Sequence, residues 1–303
     1  MPPQRVRESV VVGVPIDSYG TPGGTELAPA TLRELGIVDA LGARDAGDLS
    51  VRIVGTDRDE TSGLLGYESV VEASRGIRDG LEPLLRDDAF LIVLGGCCTL
   101  VPGVTAALRL AHNGPLGLAY IDGHLDTYDG RTSPTGEASD MPVAIVAGVG
   151  DRALIELGTI TPLVEPKHIA LLGYRDSDEV QELGGLLPEA LGSEIWHDAA
   201  AIGQSDPARL GADVARDLRN RAGRFWLSID VDVLSSVAFA ATPAQQEGGL
   251  SADELVALAR PLAMDSACVG IDIVCYDVDL DDSQRTCGNR VVEIMRRILA
   301  PQE

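Results

Sequence analysis

The chain has 303 residues, 45% of them hydrophobic, which is enough for one large core. Its formal charge of −23 excludes a nucleic-acid partner, whose phosphates demand Lys/Arg patches, and argues against an anionic membrane surface. No stretch reaches the ~20 apolar residues of a membrane helix, and the apolar run at 9–15 is too short for a secretion signal. The five cysteines are odd in number and lack CxxC spacing, which fits a reducing cytoplasm. No linker, low-complexity tract or fixed-period repeat divides the sequence, so a single domain over 1–303 is expected.

From residue 10 onward, short apolar runs alternate with longer amphipathic stretches. A strand is expected over 10–14, then a Gly-rich loop from Asp17 to Gly24 entering a helix towards Arg33. A second strand is expected over 51–55, a helix over 67–85, a strand over 90–94 and a helix over 100–111. Strands follow over 116–121, 168–173 and 194–197, then a helix over 207–220 and a strand over 224–230. Ser251 with Glu254 three residues on is a capping-box pattern opening a helix over 252–262. A strand over 268–274 and a helix over 284–299 complete the chain. Several runs are apolar almost throughout, as in parallel strands buried on both faces. The expectation is an α/β fold, a three-layer αβα sandwich with a mostly parallel sheet of about eight strands. Such sheets place their sites beyond the carboxyl ends of the strands.

Two of those ends are rich in ligands. The segment Ala119-Tyr-Ile-Asp122-Gly-His124-Leu-Asp126 ends an apolar run in Asp, His and Asp at alternate positions, which share one side of an extended chain. The segment Ser228-Ile-Asp230-Val-Asp232 repeats the pattern. Like charges held together on a buried strand are costly without a cation. Four carboxylates and one imidazole suit a pair of hard or borderline divalent ions such as Mn²⁺. A third end, Gly95-Gly96-Cys97-Cys98-Thr99, turns a strand into a helix whose N-terminus favours thiolate; the alternative is a pair of small buried thiols at a corner. Arg175-Asp176-Ser177-Asp178-Glu179 reads, by itself, as a loop with caps, and His112, His168 and His197 have no ligand-spaced partners.

These segments, in this order, resemble the ureohydrolase family of arginase, agmatinase and formiminoglutamase, from about Val10 to the C-terminal helix. The family's Asp-Ala-His-x-Asp is similar to Asp122-Gly123-His124-Leu125-Asp126, and its Ser-x-Asp-x-Asp to Ser228-Ile229-Asp230-Val231-Asp232. Gly248-Gly249-Leu250 matches a downstream Gly-Gly-Leu, and Gly95-Gly96-Cys97-Cys98-Thr99 stands where the family has Gly-Gly-Asp-His-Ser/Thr. The resemblance implies a centre of two manganese ions on six side chains. Five match by identity, Asp122, His124, Asp126, Asp230 and Asp232; the sixth, a histidine in the family, is Cys98. A softer thiolate there opens the site to Zn²⁺ or Fe²⁺.

The resemblance also implies a substrate and its contacts. The Glu that faces the guanidinium in arginases aligns with Cys275, and Asp277 would share its side if the strand continued. The arginase proton-shuttle His aligns with Ser139; Glu137 and Asp140 are nearby acids, and Asp126 orients the attacking hydroxide. Tyr128, Ser133, Thr135 and Asp178 stand where arginases hold the α-amino acid end. Loss of the Glu with these contacts kept points to Nω-hydroxy-L-arginine, split to L-ornithine and hydroxyurea by a cytoplasmic homo-oligomer, a trimer or hexamer. The alternatives are arginase itself, an agmatinase or formiminoglutamase type, or a degenerate partner subunit. Oxidation of the neighbouring Cys97 and Cys98 to a disulfide would switch the site off.

Overall fold

The structure, a computed structural model, describes residues 8–18, 23–86 and 89–300. Residues 19–22, inside the Gly-rich loop predicted after the first strand, lie outside the described residues. The eight strands are β1 (Ser9–Val14), β2 (Arg44–Asp48), β3 (Phe90–Gly95), β4 (Gly117–Ile121), β5 (Ile169–Leu172), β6 (Ile195–His197), β7 (Phe225–Asp230) and β8 (Cys268–Val274). They form one sheet in the order β2-β1-β3-β8-β7-β4-β5-β6, with every pairing parallel. All residues of β4, β7 and β8 are buried, which explains their largely apolar character.

Helices cover both faces and complete the three layers. Tyr67–Arg86 packs against Val101–Ala111 on one side; Pro207–Ala222, Ala252–Ala263 and Thr286–Leu299 pack in series on the other. All five helices expected from the periodicity are present within two residues at each end. The Ser251 hydroxyl accepts from the Glu254 amide at 3.2 Å, and Glu254 Oε2 accepts from the Ser251 amide at 2.8 Å, closing the capping box.

The strand expected over 51–55 is not there; β2 lies earlier, at Arg44–Asp48. It is an edge strand, exposed along its whole length and paired only with β1, so it carries no apolar pattern. Charge holds it instead: Arg33 bridges Asp45 at 2.9 Å and Asp48 at 2.5 Å. The apolar residues that follow serve the helix below, with the Leu49 and Val51 side chains lying over Gly80 and Gly76 of Tyr67–Arg86.

Close helix packing depends on Gly211 in Pro207–Ala222. A Cβ there would lie 2.1 Å from the Leu258 carbonyl oxygen of Ala252–Ala263. Gly211→Ala therefore tests packing against propensity. Alanine favours a helix by about 1 kcal/mol, but overpacking against backbone costs about 1–3 kcal/mol. The expected result is a net loss of stability in chemical denaturation; a gain would mean that the two helices separate freely.

Candidate metal centre

β3, β8, β7 and β4 are neighbours in the sheet, in that order, so their carboxyl ends open onto one place. β3 delivers Cys97 and Cys98, β8 delivers Cys275, β7 delivers Asp230 and Asp232, and β4 delivers Asp122, His124 and Asp126. All eight line one cavity of about 180 Å³.

Gly96 fixes the β3 corner. A Cβ there would lie 1.7 Å from the Ile16 carbonyl oxygen, so only glycine lets the exit of β1 pass. Its amide donates to Val14 O at 2.9 Å, and its carbonyl accepts from the Cys275 amide at 2.7 Å. Cys275, at the abrupt end of β8, has a φ of +64°, a left-handed conformation unusual for a residue with a side chain. This bond carries it across to the β3 exit.

The ligands after β4 do not reach the cavity on an extended chain, as their alternation suggested. The strand stops at Ile121 and the chain turns. Asp122 Oδ1 accepts from the His124 amide at 2.7 Å, and Asp126 sits at φ +50° with its carbonyl taking the Val143 and Ala144 amides at 3.1 and 3.2 Å. After β7 the chain also turns, and Asp230 Oδ1 accepts from the Asp232 amide at 2.8 Å. Asp232 in turn accepts from the Gly123 amide at 2.8 Å and meets His124 Nδ1 at 2.8 Å. Arg175, beyond β5, donates to the Asp232 carbonyl at 2.8 Å and the Val233 carbonyl at 3.1 Å.

Two groups of donors result. The ligand atoms of Asp122, His124 and Asp232 lie within 4.8 Å of one another, and so do those of Cys98, Asp230 and Cys275. Asp126 borders both and accepts a short hydrogen bond from the Tyr120 hydroxyl. Each group can hold a divalent cation. Asp122 Oδ2 is buried with no hydrogen-bond partner, an open acceptor where a cation fits.

The electrostatics match. Burial pushes Asp122 up to about 7, with the Asp232 charge adding to it. Burial raises Asp126, helped by Asp122, and raises Asp230, helped by Asp232. For Asp232 burial resists ionisation, but the His124 charge and hydrogen bond and the Gly123 amide outweigh it and hold it low. The thiols do not become the helix-stabilised thiolates expected from sequence. Burial pushes Cys97 up to about 12, and Cys98 is raised by its hydrogen bond with Cys275 and by burial. Asp232 aside, the protein alone thus favours protons on these carboxyls and thiols; a cation would replace them.

The remaining predicted residues fall into two sets. Tyr128, Thr135 and Ser139 line the cavity. Ser139 also touches the ligands, its carbonyl accepting from the Cys98 thiol at 3.4 Å. Glu137 is half-buried, 3.4 Å from the Ser139 hydroxyl, and burial, then the Asp140 charge, push it up to about 7. The Ser133 and Thr135 hydroxyls both donate to Asp140 Oδ2, at 2.5 and 2.7 Å. Ser133 is buried and committed to that network.

Asp178 is exposed, and its neighbours Asp176 and Glu179 line the cavity in its place. Asp176 accepts from the Leu125 amide through both oxygens at 3.1 Å. Asp277 does not share the side of Cys275, because β8 ends at Val274; it caps the following turn by accepting from Asp279 and Leu280 amides at 2.9 and 3.2 Å. Beneath the ligands, fully buried Asp272 accepts from the Ser228 hydroxyl at 2.7 Å and Trp226 Nε1 at 2.5 Å. A lone Asp inside the apolar run Val-Gly-Ile-Asp272-Ile-Val was the signal for it.

The chain matches the arginase family over residues 7–300. Arginase of Bacillus caldovelox is 26% identical over 284 residues, covering 92% of this chain and 93% of that protein. The native structure of that arginase superposes with a TM-score of 0.85 at 23% identity, covering 98% and 99% of the two chains. Formimidoylglutamase of Bacillus subtilis superposes with a TM-score of 0.73 at 19% identity, covering 99% and 88%.

The raised carboxyls have a consequence for stability. A carboxyl raised on folding, such as Asp122 at about 7, adds stability at pH values below its ordinary 3.8 and loses it as pH rises through about 7. Cation binding should show the opposite trend, since it needs the ionised form. The melting-temperature gap between Mn²⁺-loaded and metal-free protein is expected to widen from about pH 5 to about pH 8. A gap independent of pH would mean that the cluster is already ionised.

Proposed function

The chain belongs to the arginase family, and from that membership and the geometry above we propose that it hydrolyses a guanidino-type C–N bond in an arginine-like amino acid, with Nω-hydroxy-L-arginine, giving L-ornithine and hydroxyurea, as the preferred substrate. The carrying observation is Cys275, a buried thiol beside the ligands where arginases resemble one another in offering a Glu. A protonated guanidinium in a buried cleft needs an anion dedicated to it. An N-hydroxyguanidine is far less basic and can shed its proton at little cost to bind neutral.

Asp122, His124, Asp126, Asp230, Asp232 and Cys98 are the residues to hold two divalent cations, Mn²⁺ first among them. When bound, such ions supply Lewis acidity and make water a nucleophile near neutral pH. Asp126, oriented by the Tyr120 hydroxyl, accepts the proton of the attacking water. Glu137 holds a proton near neutral pH and passes it through the Ser139 hydroxyl to the leaving amine. Tyr128 offers its hydroxyl to the substrate carboxylate from a wall shared with Thr135, whose own hydrogen goes to Asp140, while Asp176 and Glu179 offer charge to its ammonium.

The same reading makes the protein a single-domain cytoplasmic enzyme acting as a homo-oligomer on a small molecule. No helix among the described residues is long and apolar enough to cross a membrane. A second reading, urea release from arginine, is favoured by relatives named arginase at 26% and 25% identity.

Ornithine release from both substrates by the Mn²⁺-loaded protein separates the two. The expected kcat/KM is about tenfold or more higher for Nω-hydroxy-L-arginine, a difference of about 1.4 kcal/mol in transition-state binding. Faster turnover of arginine would overturn the preference and leave the second reading.

A further inference from the structure

Cys98 and Cys275 are separated by most of the chain, yet the structure brings both thiols and the Asp230 carboxylate within 4.8 Å of one another. The contact is built, not incidental. The Gly96 carbonyl takes the Cys275 amide at 2.7 Å, and the left-handed turn at Cys275, φ +64°, lets the chain leave β8 there. The Ser139 carbonyl takes the Cys98 thiol from the other side at 3.4 Å. Both cysteines are buried, and the free carboxylate atom Asp122 Oδ2 lies in the adjoining group.

We propose that Cys275 is a metal ligand paired with Cys98, so that with Asp230 the two thiolates form a thiophilic half-site selective for Zn²⁺ over Mn²⁺, beside an Asp122–His124–Asp232 half that keeps oxygen and nitrogen donors. Two sulfurs and one carboxylate oxygen are three ligands of a tetrahedral zinc site with one position open. Zn–S bonds of about 2.3 Å need the two sulfurs under about 4 Å apart, which small rotations of adjoining side chains provide. Manganese binds such donors more weakly than zinc and thiolates least of all, so a single equivalent of zinc should go to the thiolate half and leave the other half to manganese. The inference rests on the two-cation reading above but not on the choice of substrate. It moves Cys275 from the substrate wall to the metal, and leaves the guanidino group facing no dedicated anion.

The test uses the full chain, stripped of metal and reduced. After equilibration with one equivalent of Zn²⁺ per chain in a large excess of Mn²⁺ and desalting, elemental analysis should find about one of each per chain. X-ray absorption of the zinc in the wild-type protein should count two sulfur neighbours at about 2.3 Å. With Co²⁺ as probe, the near-ultraviolet thiolate charge-transfer band should fall by roughly half in Cys98→Ser and in Cys275→Ser, and vanish in the double variant. Cys97→Ser should leave the band unchanged. One sulfur neighbour, or a band that follows Cys98 alone or Cys97, would overturn the pairing while the hydrolase reading stands. Binding of two cations with no thiolate signal would do the same. Failure to bind Mn²⁺, Zn²⁺ or Co²⁺ at all would overturn both.

Discussion

The structure turns on one constraint: four carboxyl groups, Asp122, Asp126, Asp230 and Asp232, are buried together at the carboxyl ends of adjacent strands. Desolvation and mutual repulsion work against their ionisation. The protein meets part of that cost with dipoles and one imidazole: the Gly123 and Asp232 amides, the Tyr120 hydroxyl and His124 all point at the cluster. What remains is Asp122 Oδ2, buried with nothing to bind it. Hydrogen bonds alone leave the cluster short of positive charge. A divalent cation would supply what is missing, which is why the donor set, more than any single motif, argues for metal chemistry.

Sheet order is what makes the crowding happen. β8 and β7 are inserted between β3 and β4, so corners distant in sequence meet at adjacent strand ends. Gly96 then locks the β1, β3 and β8 exits together, because its carbonyl and amide serve two neighbours and its missing Cβ admits a third. A side chain at that position would displace Ile16 and, through the Cys275 amide, one donor of the cluster. The supporting layer below is polar in only a few places. Asp272, held by Ser228 and Trp226, is one of them, and it stiffens β7 directly under Asp230.

Much of this was legible in the sequence, because the central strands are buried on both faces and announce themselves as apolar runs ending in ligands. The five long helices were legible from their apolar periodicity, four as one stripe and Val101–Ala111 as a helix buried nearly all round. The edge strand β2 was not, since Arg44-Asp-Ala-Gly-Asp48 pairs by backbone alone and is tied down by Arg33. Most of the site residues expected from sequence line the cavity, but the geometry that gathers them was not legible. Alternation suggested an extended chain at Asp122, His124 and Asp126, whereas a turn with a positive φ at Asp126 brings them in. Asp176 and Glu179, in place of Asp178, follow from the phase of the short helix Ser177–Leu183, which a charged run cannot reveal. Asp277 was misplaced because nothing in Val-Cys-Tyr-Asp signals that the strand ends one residue before Cys275.

The two cysteines show what spatial reading adds. In sequence, Cys98 and Cys275 are separate losses, a ligand His and a substrate-facing Glu, and two losses suggest a decaying enzyme. In the structure they are neighbours, and each loss is of a kind the other can answer. A thiolate lacks the neutrality of imidazole, so one alone in a carboxylate cluster adds charge without adding a strong site. Two thiolates aimed at one point add a donor pair with a real preference for a softer ion. Removing the Glu also removes an anion that would otherwise compete with the second thiolate for room and charge. Asp122, His124, Asp126, Asp230 and Asp232 share one cavity with the two thiols, so the donor set around it is altered in kind and not emptied.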